Sequence, residues 1–477
     1  MEPGAAKVEQ VDEAANGRRK VGLPVATALV IGNMIGSGIF LLPAALAPYG
    51  GITLFSWLLV SIGALCMALT FARLSRTIPR TGGPYAYTHE GFGDFAGFWI
   101  AWGYWNSLWI SMAGITVALV SYLRIFLPFL NQSGWLAALA AVLAIVLMMF
   151  FNLQGIKQAG AVQFITMILK LIPLVAVATI GFFWFQPAHL LPFNASGQPP
   201  FVAISGVAAL IAFSFQGMES ATVPAGDIKD PGKTIARATV FGVIFVALLY
   251  ILSSTVVLGV LPRNILLGSQ APFADAAASM WGKWAYYAVG LGACISCLGS
   301  LNGIIIVASR VPMAAAQDNL FPRSFGRLSR KAVPAFSIIT SCFMACIILV
   351  LNYSGAQALT NLFTILVLIA TVNAVIPYAF CSLVELMLRT RHENPHPLTP
   401  IQHITIWIGF LFAIWLIYGA GPQPALWACS CSSSGSPSTS RSTKSAARQK
   451  TPRRFEPYTI SSGWLPSANS PTDVSWR

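Results

Sequence analysis

The feature that most constrains this chain is a recurrence of apolar runs of roughly 20 residues, the length that carries a helix across a bilayer. Eleven are predicted: Leu23–Ala47, Ile52–Phe71, Ala96–Tyr122, Trp135–Phe151, Val162–Phe185, Val202–Val223, Thr239–Leu261, Tyr286–Ser309, Val333–Leu351, Leu359–Val384 and Ile401–Tyr418. Lipid offers no partner to backbone N–H and C=O groups, so such runs fold as helices. Only 9% of the residues are charged and 56% are apolar, whereas soluble domains carry about 25% charge. A water-soluble globular domain is excluded. So is a disordered chain, which needs low hydrophobicity and high net charge. The expected fold class is an all-α polytopic membrane protein.

The net charge of +14 belongs to topology rather than to nucleic acid. With the N-terminus placed in the cytoplasm, 18 Lys and Arg fall in inward-facing segments. Only Arg124, Arg263 and Lys283 fall outside. That asymmetry sets the orientation and supports the segment count. It gives a multi-pass membrane protein with a cytoplasmic tail over 1–22 and a membrane domain over 23–427. Residues 428–477 form a Ser-rich, basic stretch that lies outside by this count, against the charge trend. They read either as a twelfth span lost by frameshift after about Trp427 or as a disordered extension. No cleavable signal peptide is expected, because the first run is too long and follows a charged head.

Three places within the runs carry unusual chemistry. Gly32-Asn33-Met34-Ile35-Gly36-Ser37-Gly38 puts three glycines and a serine inside one span, which is costly in a helix interior. It is either a close-packing face or an unwound stretch whose bare N–H and C=O groups hold a carboxylate and an ammonium. Glu219 is the one carboxylate placed inside a predicted span, and an intramembrane charge is a functional candidate. Gly217 beside it permits a second break. Two interrupted spans, the first and the sixth, fit a transporter built from two inverted five-helix repeats with a central site. The repeats would cover about 23–185 and 202–384, with 401–418 as a further span. Lys170 is the one cation set deep in a span. It could stand where a coupling ion would sit.

Other residues are less informative. Tyr104, Trp105 and Trp109 form an aromatic stripe that is packing or, in part, substrate path. The eight cysteines make no disulfide framework, and Cys294 and Cys297 read as small core thiols. His89, His189, His392 and His396 read as loop residues. No metal set, cofactor motif, catalytic dyad or nucleotide-binding P-loop is present, so neither an enzyme nor an ATP-driven pump is expected.

The segments Gly32–Phe40 with Leu42-Pro43, Thr81–Tyr87, Phe215–Ser220, Asp230–Ala238, Cys297–Leu301 and Asp318–Pro322 occur in one order along the chain. Together they resemble the amino acid–polyamine–organocation transporter superfamily. Within it the chain is similar to the basic amino acid/polyamine antiporters, most of all the arginine/agmatine group. The resemblance implies twelve helices in two inverted repeats, broken helices 1 and 6, and a homodimer. It implies that Ser37 and Gly38 offer N–H groups to a substrate carboxylate and Met34 a carbonyl to the α-ammonium. Ser107 and Met112 match wall positions, Phe213 the aromatic gate, and Glu219 the acid linked to gating and protons.

The chain departs from the arginine/agmatine group at three of these positions. That group has tryptophan where this chain has Ile304 and Phe213, and asparagine where it has Met112. Ile304 removes the platform for a cation–π contact worth about 0.5–2 kcal/mol, which weighs against arginine and points to a neutral or aliphatic amino acid. Lys170 resembles the fifth-helix lysine of sodium-independent permeases. The reading is a sodium-independent secondary transporter, an exchanger of amino acids or amines. The alternatives are a proton-coupled neutral amino acid permease and a transport-inactive membrane protein.

Overall fold

Residues 21–353, 359–390 and 398–433 are described by the structure, a computed structural model. Fifteen α-helices run through them: α1 Leu23–Met34, α2 Ser37–Leu46, α3 Ile52–Thr77, α4 Pro84–Leu123, α5 Gly134–Leu153, α6 Ile156–Ile180, α7 Pro200–Phe215, α8 Pro231–Val260, α9 Arg263–Gly268, α10 Pro272–Trp281, α11 Lys283–Gln317, α12 Ala335–Tyr353, α13 Leu359–Thr390, α14 Pro400–Ala420 and α15 Pro422–Ser433. Several of them open on proline, whose missing N–H costs nothing in a first turn. Thr399 and Gln402 close a capping box on α14.

Among the described residues, nine helical stretches are long and apolar enough to cross a membrane, the first being α1 and α2 taken together. Two shorter apolar helices, Pro200–Phe215 and Ala335–Leu351, lie at the other predicted segments. The protein is a multi-pass membrane protein. In the α1–α2 stretch and α4, 83% and 89% of the most apolar window is buried, against 28% in α6. The first two therefore form the centre, while α6 turns Ile165, Ile168 and Ile172 outward.

Several boundaries differ from the sequence-based expectation. The third run starts as helix at Pro84 and bends at Gly93, whose φ is 79°, near the predicted start at Ala96. The helix of the sixth run ends at Phe215, and the chain continues through hydrogen-bonded turns to Val223. The helices of the eighth and tenth runs, α11 and α13, extend beyond the predicted ends and take in Arg310 and Glu385. Both are buried, so Glu219 and Lys170 are not the sole buried charges. Each of the added two has an ion partner: Arg310 meets Asp227 at 2.9 Å, and Glu385 meets Arg73 of α3. Hydropathy ended those runs early because charges lower it even where an ion pair carries the helix onward. His89, expected in a loop, lies in α4 and contacts Asp94 at 2.9 Å. The expectations for residues 1–20, His392, His396 and 434–477 lie outside the described residues.

Candidate substrate site at the helix breaks

The first glycine-rich motif is a true break. Ile35 (ψ 85°) and Gly36 (φ −125°, ψ −138°) leave helical geometry between α1 and α2. A helix end exposes carbonyls without intrahelical partners, and here side chains take them. Lys170 Nζ of α6 donates to Gly32 O at 2.5 Å and to Ile35 O, and lies 3.4 Å from Ser300 Oγ. Ser300 Oγ of α11 donates to the same two carbonyls, at 2.9 and 3.0 Å, and Ser296 Oγ reaches Ile35 O at 3.1 Å. Tyr250 Oη of α8 donates to Met34 O. Lys170 is wholly buried and does not snorkel to a surface. Gly36 is needed because a Cβ there would lie 2.7 Å from Ser300 Oγ.

On the other side of the break, no side chain caps the start of α2. Its first N–H groups and the positive end of its dipole are therefore free to meet an anion. Ser37 Oγ and Ser214 Oγ are buried with no hydrogen-bond partner among the described residues. Such groups cost about 1–3 kcal/mol each when unmet.

The second break follows α7. Gln216 is extended (ψ 140°) and Gly217 has φ 99°, a region that L side chains rarely enter. A Cβ on Gly217 would also lie 2.8 Å from Asn33 Cβ. The turn brings Glu219 inward. Its Oε1 accepts from Tyr104 Oη of α4 at 2.6 Å. Its Oε2 accepts from Tyr378 Oη of α13 at 2.7 Å and from the Gly217 N–H at 3.1 Å. Glu219 thus ties the second break to two long helices. Asn33 joins the breaks to each other: its Nδ2 donates to Ser220 Oγ at 2.7 Å, and its Oδ1 accepts from Gln163 at 3.4 Å.

A cavity of about 40 Å³ lies between the breaks. Of the nine residues expected at a site, Met34, Ser37, Gly38, Ser107, Phe213, Glu219 and Ile304 line it. Lys170 stands behind the wall, on the α1 carbonyls. Met112 is buried elsewhere and does not line the cavity. At 3.6 residues per turn it lies roughly a quarter turn from the face carrying Tyr104, Ser111 and Ile115, so Ser111 takes the wall place expected of it. The Met34 carbonyl already serves Tyr250, which leaves one lone pair for a guest. Of the aromatic stripe, Tyr104 faces this cavity, whereas Trp105 and Trp109 face a different one.

Sequence reasoning missed Tyr250, Tyr378, Asn33 and Gln163 as partners of the breaks. Asn33 lay inside the quoted motif. Ser300 lay inside the Cys297–Leu301 segment, and Ser296, four residues earlier on α11, had helical spacing as its only signal. Nothing local marked the two tyrosines.

Two interrupted helices whose peptide groups and single carboxylate surround a cavity, within a bundle of membrane-length helices, define a secondary transporter of the broken-helix kind. Comparison with known proteins agrees. A family described as "Amino acid permease" matches residues 21–440. The cadaverine/lysine antiporter of Escherichia coli K12 is 32% identical over 407 residues, covering 84% of this chain and 90% of that protein. The putrescine transporter PotE of Haemophilus influenzae is 30% identical over 411 residues, covering 86% and 93%. The chain belongs to the amino acid permease family, in its basic amino acid/polyamine antiporter branch.

Proposed function

We propose that the protein exchanges a cationic aliphatic amino acid for a related amine by alternating access, without sodium, in a bacterial inner membrane with its N-terminus in the cytoplasm. The observation that carries this reading is the charge of the cavity wall: among the described residues Glu219 is its only carboxylate and no Lys or Arg lines it. A cationic cargo therefore meets no like charge. The relatives named above handle lysine, cadaverine and putrescine by their names, whose flexible ammonium tails need no aromatic platform. Ile304 supplies none.

In this mechanism the α2 N–H groups and Ser37 hold the carboxylate of an amino acid, and the free lone pair of Met34 O receives its α-ammonium. The cavity has room for about three waters, so entry requires Phe213 to move. Phe213 packs edge-on against Phe363, with ring centroids 6.1 Å apart, and closes over the guest. A proton or a cargo ammonium arriving at Glu219 competes with the Tyr104 and Tyr378 hydroxyls. This loosens the junction of α4, α13 and the second break and lets the gate change sides. Lys170 fills the carbonyl cluster that a sodium ion would otherwise use. The inverted repeats and a homodimer are part of the same proposal and rest on the resemblance.

Proteoliposomes test it. Uptake of labelled lysine that requires unlabelled lysine or a diamine inside, and persists in sodium-free buffer, is the expected result. Uptake into unloaded vesicles driven by a pH gradient alone would favour the proton-coupled neutral permease, a reading that the apolar wall of Leu108, Ile115 and Ile304 also fits. Restoring an indole with Ile304→Trp is expected to raise competition by arginine about 2–30-fold, the cation–π range.

A further inference from the structure

Away from the helix breaks lies a larger cavity, of about 480 Å³, between α4, the connection 318–334 and α12. Its wall is aromatic. Phe321 sits 6.0 Å from Trp102 and 6.1 Å from Trp105, ring centre to ring centre, and Phe325 sits 5.5 Å from Trp105. The polar edges of the indoles are spent within the protein. Trp105 Nε1 donates to Ser341 Oγ at 2.8 Å, and Trp109 Nε1 to Asn106 Oδ1 at 3.2 Å. What remains for a guest is hydrocarbon-like surface, in the size range of ligand pockets.

The connection that supplies Phe321 and Phe325 also carries Arg323, Arg327 and Arg330, all exposed. Among the described residues none of the three has an acidic partner. Asp318, just before Phe321 in the chain, is itself held by Arg80 at 2.9 Å and by Tyr85 at 2.8 Å. An apolar, aromatic cavity beside uncompensated guanidinium groups matches a molecule with one hydrocarbon end and one anionic end.

We infer that this cavity seats an acyl chain of an anionic phospholipid whose phosphate is held by Arg323, Arg327 and Arg330. Basic clusters at the ends of membrane helices attract acidic head groups, and planar guanidinium forks suit phosphate oxygens. The bound lipid would join α4, which lines the cargo cavity on another face, to the connection between α11 and α12. The site is distinct from the cargo site, since no residue lines both cavities.

The test uses the full chain in nanodiscs doped with brominated-chain phosphatidylglycerol or brominated-chain phosphatidylcholine, with tryptophan quenching as the readout. The expected result is half-maximal quenching at about a fivefold lower fraction of phosphatidylglycerol. Arg323→Gln/Arg327→Gln/Arg330→Gln, three exposed changes, should make the two lipids equivalent without moving the thermal midpoint. Trp102→Phe should reduce the selective part of the signal. Equal quenching by both lipids in the parent protein would leave only ordinary boundary lipid and overturn the inference. So would a preference that survives the triple change, or quenching relieved by lysine or a diamine, which would make the cavity a cargo path.

Discussion

Buried charge is handled in two different ways in this molecule. Away from the helix breaks, Arg73 and Glu385 meet as a fork, with Arg73 Nη2 3.0 Å from Glu385 Oε2 and further contacts to Thr70 and Thr405. Each ion neutralises the other, and the pair welds α3 to α13. At the helix breaks, Lys170 and Glu219 are equally buried, yet each is held by neutral groups. Carbonyls and a hydroxyl surround Lys170, and two tyrosine hydroxyls and one N–H surround Glu219. A paired ion is costly to disturb and stays put. An ion held only by dipoles keeps its charge available to a proton or a cargo. Under the proposed mechanism, the contrast separates charges that brace the fold from charges that take part in exchange.

The largest expected effect breaks this contrast at Lys170. Lys170→Met leaves the carbonyls of Gly32 and Ile35 with serine donors alone, and exchange in proteoliposomes should fall about 100-fold or more, the scale of losing charge-assisted bonds in a buried site. A normal exchange rate would return Lys170 to the bracing class. Next comes Glu219→Gln, which keeps the shape and one acceptor. Exchange should fall roughly 10- to 100-fold, the scale of hydrogen bonds lost from a charged group, and should lose most of its dependence on pH. An unchanged pH profile would remove Glu219 from proton handling.

The Arg73–Glu385 pair sharpens the comparison from the other side. Arg73→Met should lower unfolding stability by about 3–5 kcal/mol by stranding Glu385, whereas Arg73→Met/Glu385→Leu should recover most of it. Exchange by the double variant should approach that of the parent. If the double variant were stable yet inactive, the pair would have to be counted among the working charges.

The smallest effect is at Asp275, in the short helix α10 outside the membrane-length set. Burial pushes its carboxyl above the usual range, against an opposing hydrogen bond from Ser269. A raised folded pKa means that the stability this group contributes is complete below the unfolded value, about 3.9, and is lost as pH rises through the folded one. Asp275→Asn should therefore melt slightly higher than the parent at pH 8 and no higher at pH 4. A melting advantage that is the same at both values would show that charge is not its cause.

Much of this was legible in advance, for identifiable reasons. The apolar runs marked the helices because hydropathy over 20 residues is a sum that local detail barely changes. Gly32–Gly38 and Gly217 marked the breaks because a glycine cluster in a span is costly unless the backbone must leave the helix. That Ser111 rather than Met112 lines the cavity was not legible, because neighbouring residues on a helix differ by 100° and matching a motif does not fix which of them faces inward. Tyr250 and Tyr378 were invisible because a tyrosine in an apolar run carries no mark of where its hydroxyl ends.

The order of segments, their number, the basic bias of one set of loops and the two weak points in the first and sixth runs follow from the sequence, because each depends on the solvation of a short stretch taken alone. Which carbonyl Lys170 caps, that Glu219 answers to two tyrosines rather than to a cation, and that Arg310 and Glu385 are paired were settled only when helices distant in sequence came together. Partners such as Lys170 and Gly32, 138 residues apart, are chosen by packing, and no local pattern encodes a contact whose energy exists only after the bundle has closed.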